Sequence, residues 1–148
     1  MMTDDSGKGT YILWLYAVTP AVVEIGKLGT FRIDAGWYAY VGSAMGSGGL
    51  QGRLRHHLSP LRRPHWHVDY LRQAAICQQV WAIIDDQPFE HRWASLLHQM
   101  PGAVIPIQRF GSSDCHCEAH LFRFTEQPAF DAFQIVAHGN VFIWNADQ

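Results

Sequence analysis

The chain has little cysteine, little charge and no long apolar run, and each shortage removes a class of protein. Its 148 residues include three cysteines, and Cys115 and Cys117 stand only two apart, so the framework of paired bridges that holds small secreted domains together is excluded. No stretch approaches the roughly 20 apolar residues that a membrane-crossing helix needs. Residues 1–8 are polar and acidic, without the basic and then apolar order of a signal peptide. A cytoplasmic protein with no membrane partner is the expectation. Charged residues make up 16% of the chain and the net charge is −2, which argues against a protein that coats nucleic acid indiscriminately. A nucleotide-binding loop is missing too: Gly46, Gly48 and Gly49 are followed by no Gly-Lys-Ser/Thr, and the third glycine of the dinucleotide motif is not in place. There is no internal repeat and no low-complexity linker.

What remains is 48% apolar with six tryptophans, enough for one core and too little for two ordinary domains. A flexible segment over residues 1–8 and a single domain over 9–148 are expected. Residues 10–18 (TYILWLYAV) are almost continuously apolar, as in a strand covered on both faces and central to a small sheet. Residues 22–33, with Gly26 and Gly29, read as a hairpin or bent strand. Residues 37–41 form a strand, the glycines at 46, 48 and 49 a loop, and residues 50–58 a helix. Residues 65–71 restart the chain, after the break at 60–64, as a short helix or a turn into one. Residues 75–84 are a strand, and Pro88 opens a helix over 89–99. A strand over 120–124 and a short helix over 129–137 complete the chain.

Strand, glycine loop and a helix rich in arginine and histidine make a layout suited to phosphate. Leu50, Leu54 and Leu58 share one helical stripe, with Arg53 and His57, four residues apart, on one flank of it at the edge of a cleft; Arg55 falls on the other flank and His56 toward solvent. Arg53, Arg55, Arg62, Arg63 and Arg72 face a single acid, Asp69, in the same window, which gives a local basic patch. Glu90 shares a helical side with Trp93, Ala94 and Leu97. Two reasons would account for a carboxylate there: a negative charge suits the first turn of a helix, worth about 0.3–1 kcal/mol, or it ligates a hard divalent cation. In His65-Trp66-His67, either histidine is a candidate phosphate contact and Trp66 a candidate base-stacking surface; the plainer alternative has Trp66 anchoring the turn in the core. Cys115, Cys117 and His120 supply three zinc-type ligands, with Cys77 or a distant histidine as the fourth. A metal-free loop, fastened by turn bonds of Ser112, Ser113 and Asp114, is the favoured reading of that segment.

These residues, in this order, carry a resemblance. Gly9-Thr10-Tyr11 on the first strand, Tyr40-Val41-Gly42 on a later one, Arg53 with His57 in the next helix and Glu90 on a subsequent one resemble the GIY-YIG nuclease superfamily, and the stretches GWYAYVGSA, GGLQGRLRHHL, HWHVDYL and GSSDCHCEAHLF resemble its stand-alone Uri-type branch. The likeness runs from Gly9 to about Phe124. It implies an α/β (α+β) fold with a small, mainly antiparallel three-stranded sheet flanked by helices, an added hairpin and a C-terminal extension. It implies a metal-dependent endonuclease that hydrolyses phosphodiester bonds in DNA, RNA not being excluded, in repair or in restriction of foreign DNA. Tyr11, Tyr40, Arg53, His57 and Glu90 would be the catalytic set, with one magnesium or manganese ion on Glu90. Arg55, Arg62, Arg63, His65, Trp66 and His67 would bind nucleic acid. The second residue of the first motif is Thr10 where isoleucine is usual, a position expected not to touch the chemistry. The long spacing from Tyr11 to Tyr40 implies an inserted segment near 22–33 at the edge of the site. Targeting would fall to the basic patch, to a protein partner or to self-association. The alternative function is a non-catalytic nucleic-acid-binding module that keeps the nuclease fold.

Overall fold

The computed structural model describes residues 7–61, 63–112 and 117–145. Strand β1 (Gly9–Ala17) lies at the centre, with β4 (Gly36–Ala44) on one side and β5 (Ile76–Ile84) on the other, both antiparallel to it. β6 (Leu121–Phe124) adds to β4, and β7 (Phe142–Ile143) adds to β5, so the order is β6-β4-β1-β5-β7. The main sheet therefore has five strands and not three. β6 was legible in the sequence as a strand but its membership of the sheet was not, and β7 is two residues long, too short to show any alternation. The added hairpin forms its own two-stranded sheet from β2 (Ala21–Ile25) and β3 (Gly29–Ile33) around a 3-10 turn, and it packs against helix α2 (His67–Leu71).

Because side chains alternate along a strand, β1 divides its residues between two cores. Tyr11, Leu13 and Leu15 face helix α1 (Gly49–Leu58), α2 and the hairpin, joined by Tyr38 and Tyr40 of β4. Ile12 and Trp14 face the other way, to Trp81 and Ile83 of β5, to helix α3 (Glu90–Gln99) and to helix α4 (Phe130–Ala137). Every β1 residue except Tyr16 is buried. Full burial of an aliphatic or aromatic side chain is worth about 1.5–3 kcal/mol, so this strand is the mechanical centre of the molecule. Among the described residues no helix is long and apolar enough to cross a membrane.

The register pairs Tyr11 with Gly42, and the absence of a side chain at Gly42 is what admits the tyrosine ring. A Cβ at position 42 would stand 2.4 Å from the Tyr11 hydroxyl and 2.5 Å from the ring carbon that bears it. Gly42→Ala is therefore expected to lower stability by about 1–3 kcal/mol through overpacking. Gly52→Ala, on α1 with open space around it, is expected to raise stability by roughly 0.5–1 kcal/mol through helix propensity. Urea unfolding of both variants checks the contrast.

Candidate functional site

α1 is laid against β1 by Leu50 and Leu54, and the same stripe carries His57, which is only 1% exposed. The expectation that His57 sits at the rim of a cleft is corrected: it points into the core. Its Nε2 lies 2.8 Å from the Tyr11 hydroxyl, and its Nδ1 lies 4.0 Å from Asp69 Oδ1, too far for a hydrogen bond. Burial, outweighing the attraction of Asp69, drives the His57 pKa down to about 3, so the ring is neutral at pH 7. A neutral ring whose Nδ1–H is turned toward Asp69 accepts at Nε2 the proton that the Tyr11 hydroxyl donates.

Burial also raises the pKa of Tyr11 and of Tyr40, and Arg53 opposes the rise in both. The Tyr40 ring stands edge-on to His57, at 6.4 Å between centroids. Arg53 is half-buried; its guanidinium donates to the Ser43 carbonyl at 2.9 Å and lies 4.4 Å above the Trp66 ring. Cation–π contact of this kind fixes the plane of the fork as well as its charge. Ser43 makes a second connection, since its side chain hydrogen-bonds Glu90. Glu90 Oε2 lies 2.8 Å from His120 Nδ1. Burial pushes the Glu90 pKa up, but the hydrogen bond and charge of His120, with the bond from Ser43, more than offset it, and the carboxyl is held below its usual range. Tyr11, Tyr40 and Glu90 are near enough for their charges to act on one another. All five members of the expected catalytic set thus gather at one end of β1 and β4.

Thr10 has a part that was not expected of it. Its Oγ1 accepts the N–H of Phe89 at 3.1 Å, at the start of α3, and so ties the helix that carries Glu90 to the central strand. Asp69, seen in the sequence only as a counter-charge, is fully buried. It accepts the backbone N–H groups of His65 and Trp66 at 2.8 and 2.9 Å, and both its oxygens lie 3.1 Å from His56 Nε2. His56 is consequently half-buried and held to Asp69, where solvent was expected. An aspartate three residues after Trp66, placed to accept the free backbone N–H groups at the start of α2, was the available signal.

The expected nucleic-acid contacts divide. Arg55, Arg63 and His65 are exposed, and Arg62 lies outside the described residues. His67 is not at the site: its Nδ1 accepts the Gly111 N–H at 2.8 Å and its ring packs on Phe110, because a histidine that opens a helix beside the 107–112 loop is placed to satisfy that loop's backbone. Trp66 is half-buried and contacts the rings of His56, His57 and His65, so it anchors the turn while Arg53 covers one of its faces. A shallow cavity beside it is lined by Arg53, His56, Trp66 and the glycines at 46, 48, 49 and 52. Of the zinc-type segment, Cys115 lies outside the described residues with Ser113 and Asp114, and Cys117 and His120 gather with His91 on α3; Cys77 is not part of that group.

A family described as "Domain of unknown function DUF123" matches residues 10–141. No curated protein and no solved structure matches the chain.

The depressed His57 pKa has a stability consequence of definite sign. The unfolded chain takes up a proton near pH 6.5 and the folded chain only near 3, so this contribution is complete above the unfolded value and is lost as pH falls through the window between the two. Burial lowers the His67 pKa in the same direction. Stability is expected to drop by roughly 1–2 kcal/mol between pH 7 and pH 5, and His57→Gln, although less stable overall, should show a shallower slope. Urea unfolding at a series of pH values checks both.

Proposed function

The chain belongs to the DUF123 family, and we propose that it is a divalent-metal-dependent endonuclease of the GIY-YIG type, close to its stand-alone Uri-type branch, acting on DNA. The observation that supports this reading best is the gathering of two protonated tyrosines, a neutral histidine, a stacked arginine and an ionised glutamate at one end of the sheet. Phosphodiester hydrolysis is served by such a set: positive charge and hydrogen-bond donors toward the phosphoryl oxygens, a group that meets water, and a hard anion for a cation.

Glu90 fits a hard cation. Its carboxyl is ionised, its side chain is 23% exposed, and one carboxylate completed by water and phosphate oxygens is an ordinary magnesium site. A magnesium or manganese ion held there would offset charge on the phosphate and help to orient it. Arg53 supplies the charge that belongs to the chain itself. One of its N–H groups is committed to Ser43, and a guanidinium carries five; stacked on Trp66 beside the glycine-lined cavity, it is placed to take a phosphate. The absence of side chains at the lining glycines leaves room for a nucleic-acid strand to approach closely.

The tyrosines take different roles. Tyr11 is entirely buried and bonded to His57, so it holds α1, and with it Arg53, to the central strand. Tyr40, 7% exposed where Tyr11 is 0%, is the phenol we assign to the water. Its raised pKa makes it a hydrogen-bond partner that orients the water; to take the water's proton it must first lose its own, which the nearby charge of Arg53 favours. Once Tyr40 has given its proton to solvent, the phenolate takes a proton from water as the water oxygen bonds to phosphorus, and the bond to the leaving oxygen breaks with that oxygen taking a proton from solvent.

A panel of labelled single-stranded, duplex, flap and junction DNAs, incubated with magnesium, with manganese and with chelator, is the test. The parent should cut with either metal and not with chelator. Arg53→Ala and Glu90→Ala should each slow cutting by about 100-fold or more, and Tyr40→Phe should slow cutting without weakening binding. Equal, salt-sensitive binding by the parent and by Glu90→Ala, with no cutting by either, would replace this reading with that of a binding module. Cutting that survives in Glu90→Ala would remove Glu90 from the mechanism.

A further inference from the structure

The geometry points to a second metal site, at His91, Cys117 and His120, for a divalent ion of the zinc class. One ligand atom from each, an imidazole nitrogen from either histidine and the Cys117 sulfur, lie within 4.8 Å of one another. The three come from two separate parts of the chain: His91 from the first turn of α3, Cys117 and His120 from the approach to β6. The histidine rings stand 5.8 Å apart, and His91 and Cys117 line a common open cavity. Ligands around a tetrahedral zinc are about 3.3–3.8 Å apart, given bonds of roughly 2.0–2.3 Å. The needed contraction is about 1 Å, within the reach of the exposed His91 side chain.

The approach to β6 is held in place by its backbone. The Cys117 carbonyl accepts from the Arg109 guanidinium, the Glu118 carbonyl accepts from the Arg109 N–H, and the His120 N–H donates to Phe110. His120 has a further feature that metal-binding histidines commonly show: its Nδ1 lies 2.8 Å from a carboxylate, Glu90, leaving Nε2 as the nitrogen that would meet a metal. Two imidazoles and a thiolate select zinc-class ions over magnesium and calcium, which prefer oxygen. Three protein ligands leave one coordination position for water, as in zinc centres that do chemistry. The site stands on these contacts whether or not the chain cleaves DNA.

Cobalt(II) titration of the metal-stripped full chain is the experiment, because a thiolate ligand adds a sulfur-to-cobalt absorption band and tetrahedral geometry gives intense visible bands. The expected result is one equivalent bound with a sulfur band. Cys117→Ser should abolish that band, and Cys77→Ser should keep it. His91→Ala, at an exposed helix position, should fold normally by circular dichroism and weaken cobalt binding at least about tenfold, and Glu90→Gln should weaken it about tenfold with the band intact. Absence of a sulfur band in the parent, its survival in Cys117→Ser, or parental affinity in His91→Ala would overturn the site.

Discussion

Burial of β1 on both faces is the constraint from which the arrangement follows. A strand covered on both sides has no free choice of rotation or register, because a slip by one residue would exchange Tyr11 and Leu13 with Ile12 and Trp14. With the register set, neighbours on β1 point in opposite directions with opposite tasks. Tyr11 reaches down to His57 and seats α1; Thr10 reaches up to the Phe89 N–H and seats α3. Arg53 and Glu90, which belong to helices on different faces of the sheet, are thereby brought to the same end of it, and Ser43 of β4 bonds to both.

Electrostatics then sort the groups by protonation state. Burial moves both phenols further from ionisation and keeps the histidine neutral well below pH 7, yet Asp69 and Glu90 remain ionised. The difference lies in donors. Burial would raise the Asp69 pKa, but two backbone N–H groups and His56 hold it low, and Glu90 has His120 and Ser43. A buried carboxylate with two or three donors stays charged at little cost, whereas a buried imidazole with one hydroxyl partner does not take up a proton. The proposed nuclease chemistry draws on both outcomes: an ionised oxygen ligand for a hard cation, and uncharged partners that let Arg53 supply the positive charge of the chain beside the cavity.

Glu90 also joins the two proposed metal sites. It would offer oxygen to a hard cation while holding the imidazole of His120, one of the ligands for a zinc-class ion. A carboxylate shared in this way would couple the two proposed sites, since a metal on the His120 ring would alter the donor beside Glu90.

The sequence by itself determined the elements and much of the site, because both are written in short-range pattern. Continuous apolarity marked β1 as central, periodicity of 3.6 marked α1 and α3, and the tyrosines, Arg53, His57 and Glu90 stood at legible places on them. The tertiary structure alone decided what depends on contact between distant segments. β7 joins the sheet through two residues too few to form a pattern, and with β6 it makes five strands where three were expected. His57 looked like a cleft-edge residue because helical spacing gives an angle about the axis and not the depth of the surface it meets. His67 resembled a ligand until Gly111, 44 residues away, took its nitrogen. Asp69 resembled a lone counter-charge until His56 and the backbone at 65 and 66 closed around it. In each case a side chain's chemistry was visible in the sequence, and its partner, which sets its charge and its freedom, was supplied by folding.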